Sequence, residues 1–245
     1  MKIGFIGCGN MATAMLKGIL KSGEVKNADM IASAKSDKTR EKIEKELGIQ
    51  KADTNAQVVD FADVVFLAVK PQFLEEVLNE IKDNVKEGQI FISIAPGKTL
   101  QWLREHLGEG TKIIRTMPNT PAMVGEGMTA LCVNEQVTEQ ETLLAVTLCN
   151  TFGKTEVIPE RLMDTVVGVS GSSPAYVFMF LEAMADAAVA DGMPRAQAYK
   201  FAAQAVLGSA KLMLETGKHP GELKDMVCSP AGTTIQAVRV LEEKG

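Results

Sequence analysis

The sequence predicts an α/β protein, with an N-terminal Rossmann-type, doubly wound sheet followed by a smaller all-α domain. Three observations predict it. Short apolar runs of strand length alternate with helical patterns from Lys2 to about residue 158. A glycine-rich turn joins the first strand to the first helix. From Pro174 onward no strand pattern occurs, and long Ala- and Met-rich helical stretches take over. Such alternation builds a parallel sheet covered by helices on both faces. The boundary is expected near residue 160, which gives domains of residues 1–160 and 161–245.

Each element has its own signal. Lys2–Ile6 reads as a buried strand and Gly7–Asn10 as the turn after it. Met11–Ser22 places Ala12, Met15, Leu16, Ile19 and Leu20 on one side of a helix, and Gly23 is expected to cap its end. Met30–Ser33 is a second short strand, and Thr39–Leu47 a charged amphipathic helix stopped by Gly48. Val64–Val69 is a continuous apolar run suited to the middle of a parallel sheet, and Pro71 ends it. Leu74–Ile81 and Leu100–Leu107 read as helices, and Gln89–Ile94, Ile113–Arg115 and Met128–Val133 as strands. Ser172 and Ser173 are expected to cap a helix with Pro174 in its first turn. Asp191-Gly192 breaks that helix, Pro194 starts the next, and Gly217 ends it. These helices are apolar around much of their circumference, and so few of them can hardly bury one another. A partner subunit is the economical answer, against packing on the first domain alone.

The totals exclude several classes. The chain has 245 residues, of which 46% are hydrophobic and 23% charged, so disorder is not expected. Its net charge of -5 provides no global attraction to nucleic acid or an anionic membrane. Cys8, Cys132, Cys149 and Cys228 form no CxxC pair and have no His at ligand spacing, so no metal site is expected. Reduced thiols fit a cytoplasmic protein. No apolar run approaches the ~20 residues that span a bilayer, and the strand pattern begins at Lys2, leaving no signal peptide ahead of it.

Five segments carry candidate chemistry. Gly7-Cys8-Gly9-Asn10-Met11-Ala12 is a GxGxxA motif between strand and helix. Gly7 permits a tight turn, Gly9 lets a pyrophosphate approach the backbone, and Ala12 lets the helix pack close. The helix N-terminus adds free N–H groups and a partial positive charge. The plain alternative is a turn chosen for packing, and the strand–helix context favours a dinucleotide. The second segment is Ser33-Ala34-Lys35-Ser36, where an NAD site usually has a carboxylate for the ribose 2′-hydroxyl. None occurs before Asp37. The hydroxyls of Ser33 and Ser36 and the ammonium of Lys35 suit a 2′-phosphate instead, against an ordinary solvated loop, so NADP(H) is favoured, with NAD(H) as the second cofactor. Ala68-Val69-Lys70-Pro71 and Ala95-Pro96-Gly97 follow buried strands, where ligands of doubly wound sheets lie, although either can be plain strand punctuation. Met117-Pro118-Asn119-Thr120-Pro121 is a rigid polar loop, open to a cofactor-positioning role or a simple turn. Ser229-Pro230-Ala231-Gly232-Thr233-Thr234 leads into a helix expected near Ile235 and can hold a carboxylate, or merely cap that helix through Thr233 or Thr234.

The missing residues also matter. His106 ends a helix and His219 precedes Pro220; neither resembles a hydride-transfer acid. Reducing a ketone builds an alkoxide that needs a proton donor. An imine nitrogen is basic enough to be protonated before hydride arrives, so the sequence leans toward C=N chemistry, although Tyr or Lys can also serve as acid.

Several of these segments resemble one family. Gly4-Phe5-Ile6-Gly7-Cys8-Gly9-Asn10-Met11-Ala12, Ala68-Val69-Lys70-Pro71 and Met117-Pro118-Asn119-Thr120-Pro121 look like the cofactor half of pyrroline-5-carboxylate reductases. Ser170-Gly171-Ser172-Ser173-Pro174-Ala175-Tyr176, His219-Pro220-Gly221-Glu222-Leu223-Lys224-Asp225 and Ser229-Pro230-Ala231-Gly232-Thr233-Thr234-Ile235 resemble its helical half. The resemblance implies NAD(P)H-dependent reduction of 1-pyrroline-5-carboxylate to L-proline, by a homodimer or higher homo-oligomer with interlocked helical domains. It implies cofactor contacts from Ile6, Gly7, Cys8, Gly9, Asn10, Met11, Ser33, Lys35, Asn55, Ala68, Val69, Lys70, Pro71 and Ala95. Asn55 would lie at the adenosine end. Gly232, Thr233 and Thr234 would hold the substrate, with Thr234 as the residue at the reacting ring. Departures from the family are Ala231, where many members have Gly, and Ala34, where members often have Ser. The alternatives are a β-hydroxyacid dehydrogenase-like reductase, for which Lys200 and Lys211 are the helical candidates, and a non-catalytic dinucleotide-binding protein.

Overall fold

The chain opens on Ile3–Ile6 (β1), the buried run Ile-Gly-Phe-Ile. In the computed structural model, which describes residues 1–245, it divides into two units, Met1–Pro174 and Ala175–Gly245. The boundary drawn from composition, at 160/161, falls within the first unit.

The first unit is built on one eight-stranded sheet. After β1 come α1 (Asn10–Ser22), β2 (Met30–Ser33), α2 (Asp37–Lys45), β3 (Gln50–Ala52), α3 (Asn55–Phe61), β4 (Val64–Leu67) and α4 (Pro71–Ile81). Then follow β5 (Ile90–Ser93), α5 (Leu100–Leu107), β6 (Lys112–Met117), β7 (Gly127–Val133), α6 (Glu139–Asn150) and β8 (Gly153–Val157). The strand order is β3-β2-β1-β4-β5-β6-β7-β8. Every pair is parallel except β6 with β7. The chain winds one way from β1 to β3 and the other way from β4. That reversal opens a crevice beside β1, where ligands of such sheets lie.

Alternation along the strands sorts the side chains into two cores. Ile3, Phe5, Phe66 and Ile92 face the layer of α1, with Met15, Leu16 and Ile19. Ile6, Val65, Leu67 and Phe91 face α3, α4 and α5, with Val58, Leu74, Leu78 and Leu103. Phe5 pairs with Phe66 in register, and their rings stack with centroids 4.4 Å apart. Gly23 and Gly217 adopt the left-handed conformation at helix ends, as expected of C-terminal caps.

A helical run leaves the sheet at Glu160–Leu162 and continues through α7 (Met163–Val166) into a π-helical turn, Val167–Gly171. It passes directly into α8 (Ser173–Ala190). The expected fresh start capped by Ser172 or Ser173 is therefore replaced by continuity. Pro174 has no N–H to give the carbonyl of Ser170. The turn before it widens instead, with Ser172 N–H on the Val167 carbonyl at 2.8 Å. The freed Ser170 carbonyl accepts from Asn119 Nδ2 at 3.0 Å. The start of the run is pinned to the sheet by Arg115, whose side chain is 4% exposed. Its guanidinium lies 3.0 Å from Glu160 Oε1, the atom that also accepts the Leu100 N–H at 2.7 Å.

The second unit holds most of α8, then α9 (Arg195–Thr216), α10 (Pro220–Val227) and α11 (Thr233–Lys244). Ala185, Ala198 and Ala202 are its buried residues. Phe178, Phe201 and Leu214 stand 65%, 68% and 84% exposed. By length and composition the run Glu160–Ala190 could cross a membrane, contrary to the expectation that no apolar stretch approaches that length.

Candidate functional site

The glycine turn forms because β1 must reverse into α1 within a few residues. Gly7 has φ +93° and donates its N–H to the Ser33 carbonyl at 3.2 Å. A Cβ there would lie 2.7 Å from the Ala68 carbonyl oxygen, so the turn, the end of β2 and the loop after β4 close on one another only around glycine. Gly9 differs. It is the extended N-cap of α1, no side chain caps the helix, and a Cβ there would meet nothing within 4 Å. The first N–H groups of α1 therefore have no side-chain partner and face open space. Ile6 and Cys8 are buried, Asn10 is exposed and Met11 is half-buried. Cys8 Sγ sits 3.8 Å from Thr13 Oγ1. Burial pushes its thiol pKa above the ordinary value, so it is a packing group rather than a nucleophile.

At the end of β2, Ser33 is buried and donates to Asn55 Oδ1 at 2.6 Å. Asn55, the first residue of α3, donates from Nδ2 to Glu80 Oε2 at 2.7 Å. The structure thus joins Ser33 to Asn55. Lys35 is exposed, with its ammonium 5.4 Å from the centroid of Phe73. Ser36 accepts from Thr39 N–H and caps α2. Arg40 turns back so that its Nε donates to the Ala34 carbonyl at 2.7 Å. That fixes a cation just beyond β2, where an arginine can accommodate a 2′-phosphate, with Asp37 Oδ1 3.6 Å from its Nη1. Sequence reasoning missed Arg40 and Glu80. An arginine seven residues beyond the second strand was the available signal for the first; nothing local marks the second.

Ala68, Val69 and Pro71 are half-buried and Lys70 exposed, at the carboxyl end of β4; Ala95 is buried after β5. Pro71 does not merely end a strand. It is the first residue of α4, where its missing N–H costs nothing. Asn119 is committed to structure at both ends: Nδ2 to Ser170, and Oδ1 accepting the Met128 N–H at 2.8 Å. This favours the structural side of the two roles left open for its loop. His106 places Nδ1 2.8 Å from the Trp102 carbonyl and sets its ring at a tilt against that indole, centroids 4.1 Å apart, while His219 Nδ1 accepts the Gly221 N–H at 3.1 Å. No three His, Cys, Asp or Glu side chains converge as a metal site.

In the second unit, α11 begins at Thr233, two residues before the expected start. Its N-cap is Gly232, with no side-chain hydrogen bond, so capping by a Thr233 or Thr234 hydroxyl does not occur. Ala231 holds φ +58°, a left-handed conformation that costs a non-glycine residue about 1 kcal/mol or more. The turn is closed by Gly232 N–H on the Ser229 carbonyl at 3.0 Å. Thr233 is exposed and Thr234 half-buried. The loop therefore presents uncapped N–H groups and a free hydroxyl.

The cofactor expected from the sequence fits these residues: an uncapped helix start, a Gly9 position with room beside it, and two cations with no carboxylate from Ser33 to Ser36. Comparison with known proteins agrees. Residues 160–245 match the family described as pyrroline-5-carboxylate reductase dimerisation, and residues 2–97 match the family described as NADP oxidoreductase coenzyme F420-dependent. The pyrroline-5-carboxylate reductase of Escherichia coli (strain K12) is 55% identical over 244 residues, covering 100% of this chain and 91% of that protein. The solved structure of the Coxiella burnetii enzyme aligns with a TM-score of 0.93 at 35% identity, over 99% of this chain and 90% of the other. The Plasmodium falciparum pyrroline carboxylate reductase, solved with NADP bound, aligns with a TM-score of 0.88 at 30% identity, over 100% and 90%.

Proposed function

The chain belongs to the pyrroline-5-carboxylate reductase family, and from that premise we propose how its residues serve the NAD(P)H-dependent reduction of 1-pyrroline-5-carboxylate to L-proline, the last step of proline biosynthesis. The observation that carries the activity is the 55% identity to an enzyme of that name along the whole chain.

When bound, the nicotinamide cofactor supplies a hydride. The first turn of α1, opening at Gly9, takes the pyrophosphate on its free N–H groups. Asn55 and Ser33 lie toward the adenosine ribose, with Lys35 and Arg40 placed for a 2′-phosphate. Ala68–Pro71 and Ala95 wall the crevice beside β1, together with Ile6, Cys8, Asn10 and Met11 around the turn. Support for NADP(H) comes from the absent carboxylate after β2, from the two cations, and from NADP in the Plasmodium falciparum relative; NAD(H) is the second cofactor.

Gly232, Thr233 and Thr234 take the substrate carboxylate by charge-assisted hydrogen bonds from the start of α11. The Thr234 hydroxyl contacts the ring nitrogen and orients the imine carbon. No histidine acid is needed, because the imine nitrogen is protonated before reduction. Orientation then supplies most of the rate gain.

The exposed aromatic and aliphatic side chains of α8 and α9 support a homodimer or higher homo-oligomer, with residues 161–245 as its substrate and assembly part. Four unpaired cysteines, three of them buried singly, fit a reducing cytoplasm.

One assay tests the activity: oxidation of NADPH with pyrroline-5-carboxylate, with a β-ketoacid, or with neither. Turnover with the imine alone is expected. Turnover with the ketoacid would favour the β-hydroxyacid dehydrogenase alternative, and none with either would favour a non-catalytic binder.

A further inference from the structure

We infer that Glu80 is a selectivity residue for the dinucleotide: acting through Asn55, it makes Ser33 Oγ a hydrogen-bond acceptor, and so favours a cofactor whose adenosine ribose keeps a free 2′-hydroxyl. The inference rests on the cofactor reading above and corrects it at Ser33, whose hydroxyl the sequence suggested for a 2′-phosphate but which is already donated to Asn55.

Ser33 is the last residue of β2, and in doubly wound sheets the adenosine ribose lies off that end of the second strand. Three side chains from three elements form a chain there. Ser33 Oγ lies 2.6 Å from Asn55 Oδ1, and Asn55 Nδ2 lies 2.7 Å from Glu80 Oε2. The Asn55 backbone N–H adds a longer contact to Glu80 Oε1, at 3.4 Å. The direction of each bond follows from the residue at the far end. An ionised carboxylate has lone pairs and no proton. Glu80 therefore takes the NH₂ side of the Asn55 amide and excludes its carbonyl side. The amide oxygen is left facing Ser33, where it can only accept. Ser33 gives its single proton to Asn55, and lone pairs are all it has left for a ligand.

A ribose 2′-hydroxyl can donate to those lone pairs. A 2′-phosphate, largely stripped of protons at neutral pH, cannot donate and meets lone pairs with negative charge. The carboxylate of Glu80, one residue further along the chain, adds repulsion of the same sign. Lys35 and Arg40 act in the opposite sense by attracting the phosphate. The adenosine end thus carries one device for each cofactor, and Glu80 sets the balance between them. Without its charge the amide is free to turn over, and Ser33 can then donate to phosphate.

The test is direct binding of NADPH and of NADH to the full-length protein without imine, followed by fluorescence. The quantity read is the ratio of the two dissociation constants. Glu80→Gln should move that ratio toward NADPH by about five- to tenfold, the scale of one hydrogen bond. Glu76→Gln removes the same charge from an exposed position of the same helix, outside the chain of contacts, and should leave the ratio in place. In a Ser33→Ala background, Glu80→Gln should shift the ratio no further. Thermal unfolding of each variant shows that the fold is kept. An unchanged ratio in Glu80→Gln overturns the inference, as does an equal shift in Glu76→Gln, or a full shift that survives in Ser33→Ala. If the unsubstituted protein binds neither dinucleotide, the cofactor reading itself fails, and the inference with it.

Discussion

Alanine placed at Gly7 and at Gly9 should give opposite phenotypes, although the two positions share one turn. At Gly7 the backbone has φ +93°, and a Cβ would lie 2.7 Å from the Ala68 oxygen and 2.9 Å from both the Ala68 carbonyl carbon and Val69 Cγ1. Two of those contacts are backbone and cannot rotate away. The positive φ costs about 1–2 kcal/mol and the overpacking about 1–3 kcal/mol, so Gly7→Ala should lose roughly 2–5 kcal/mol of stability. At Gly9 the backbone is extended and the new Cβ meets nothing. Gly9→Ala should cost only about 0.5–1 kcal/mol, because alanine is a poorer N-cap than glycine. Its methyl group would instead stand beside the free N–H groups of α1, where the pyrophosphate must approach, and NADPH affinity should fall by about tenfold or more, the equivalent of ~1.4 kcal/mol. Denaturant unfolding and fluorescence titration with NADPH measure the two effects separately. Gly9→Ala that binds NADPH normally would refute the assignment of this turn to the cofactor. Equal destabilisation by both substitutions would refute the local geometry.

Asn119→Ala should cost about 2–4 kcal/mol, because the Ser170 carbonyl and the Met128 N–H each lose a buried partner; an unfolding midpoint equal to the parent's would count against the π-turn account. Burial works against the Glu141 charge, but hydrogen bonds from Lys112 and Thr138 hold its carboxyl below the ordinary 4.5. A lowered carboxyl stabilises fully above its unfolded pKa and loses that effect as pH falls through its folded one, so Glu141→Gln should cost about 1 kcal/mol at neutral pH and progressively less below pH ~4.5; a gap that does not change with pH would contradict this. Thr234→Val should lower kcat/KM for the imine by roughly ten- to a thousandfold with little change in NADPH binding, and full activity, or lost NADPH binding, would remove the loop from the substrate site. Light scattering at low micromolar concentration should show no monomer, and a folded, active monomer would refute the assembly.

Local signals carried the elements whose cause is local. The β1 turn, the one-sided pattern of α1 and the glycines at 23 and 217 could be read because periodicity or a left-handed cap decides them. The short edge strands could not. β3 is Gln-Lys-Ala and β8 is Gly-Lys-Thr-Glu-Val, polar as exposed edges need to be, and so without an apolar signature. α3 and α6 went unmarked although each opens on a capping box, Thr54 with Gln57 and Thr138 with Glu141; α3 is too short to show a period, and α6 lacks a clean apolar stripe. The Ser-Pro pair at 173–174 reads as a helix start because the group that relieves the proline, Asn119, lies 51 residues before the carbonyl it serves. Arg40 and Glu80 escaped for the same reason: their meaning depends on where another element ends.

The run Glu160–Ala190 raises the sharpest physical choice, since a membrane and a second protein surface both satisfy an apolar helix. Its composition favours protein. Glu182 and Asp186 lie in the last third of the run, and a carboxylate costs up to about 2.5–3.5 kcal/mol in a bilayer, most at its centre. Asp186 pairs with Arg195 across the turn to α9, a contact suited to a wet rim. The start of the run is held by Arg115 and by the fully buried Met163 against the sheet, which leaves much less than its whole length for a bilayer. What needs covering lies further along, where Phe178, Met179 and Phe180 are exposed in one helical turn and Phe201 and Leu214 stand exposed on the next helix. Helices apolar on several sides, with only alanines buried within the unit, have the slim shape that admits another helix closely and the apolar rims that reward it. Residues 160–245 also match a family described by its dimerisation, which supports the second copy of the chain proposed above as the cover for this surface.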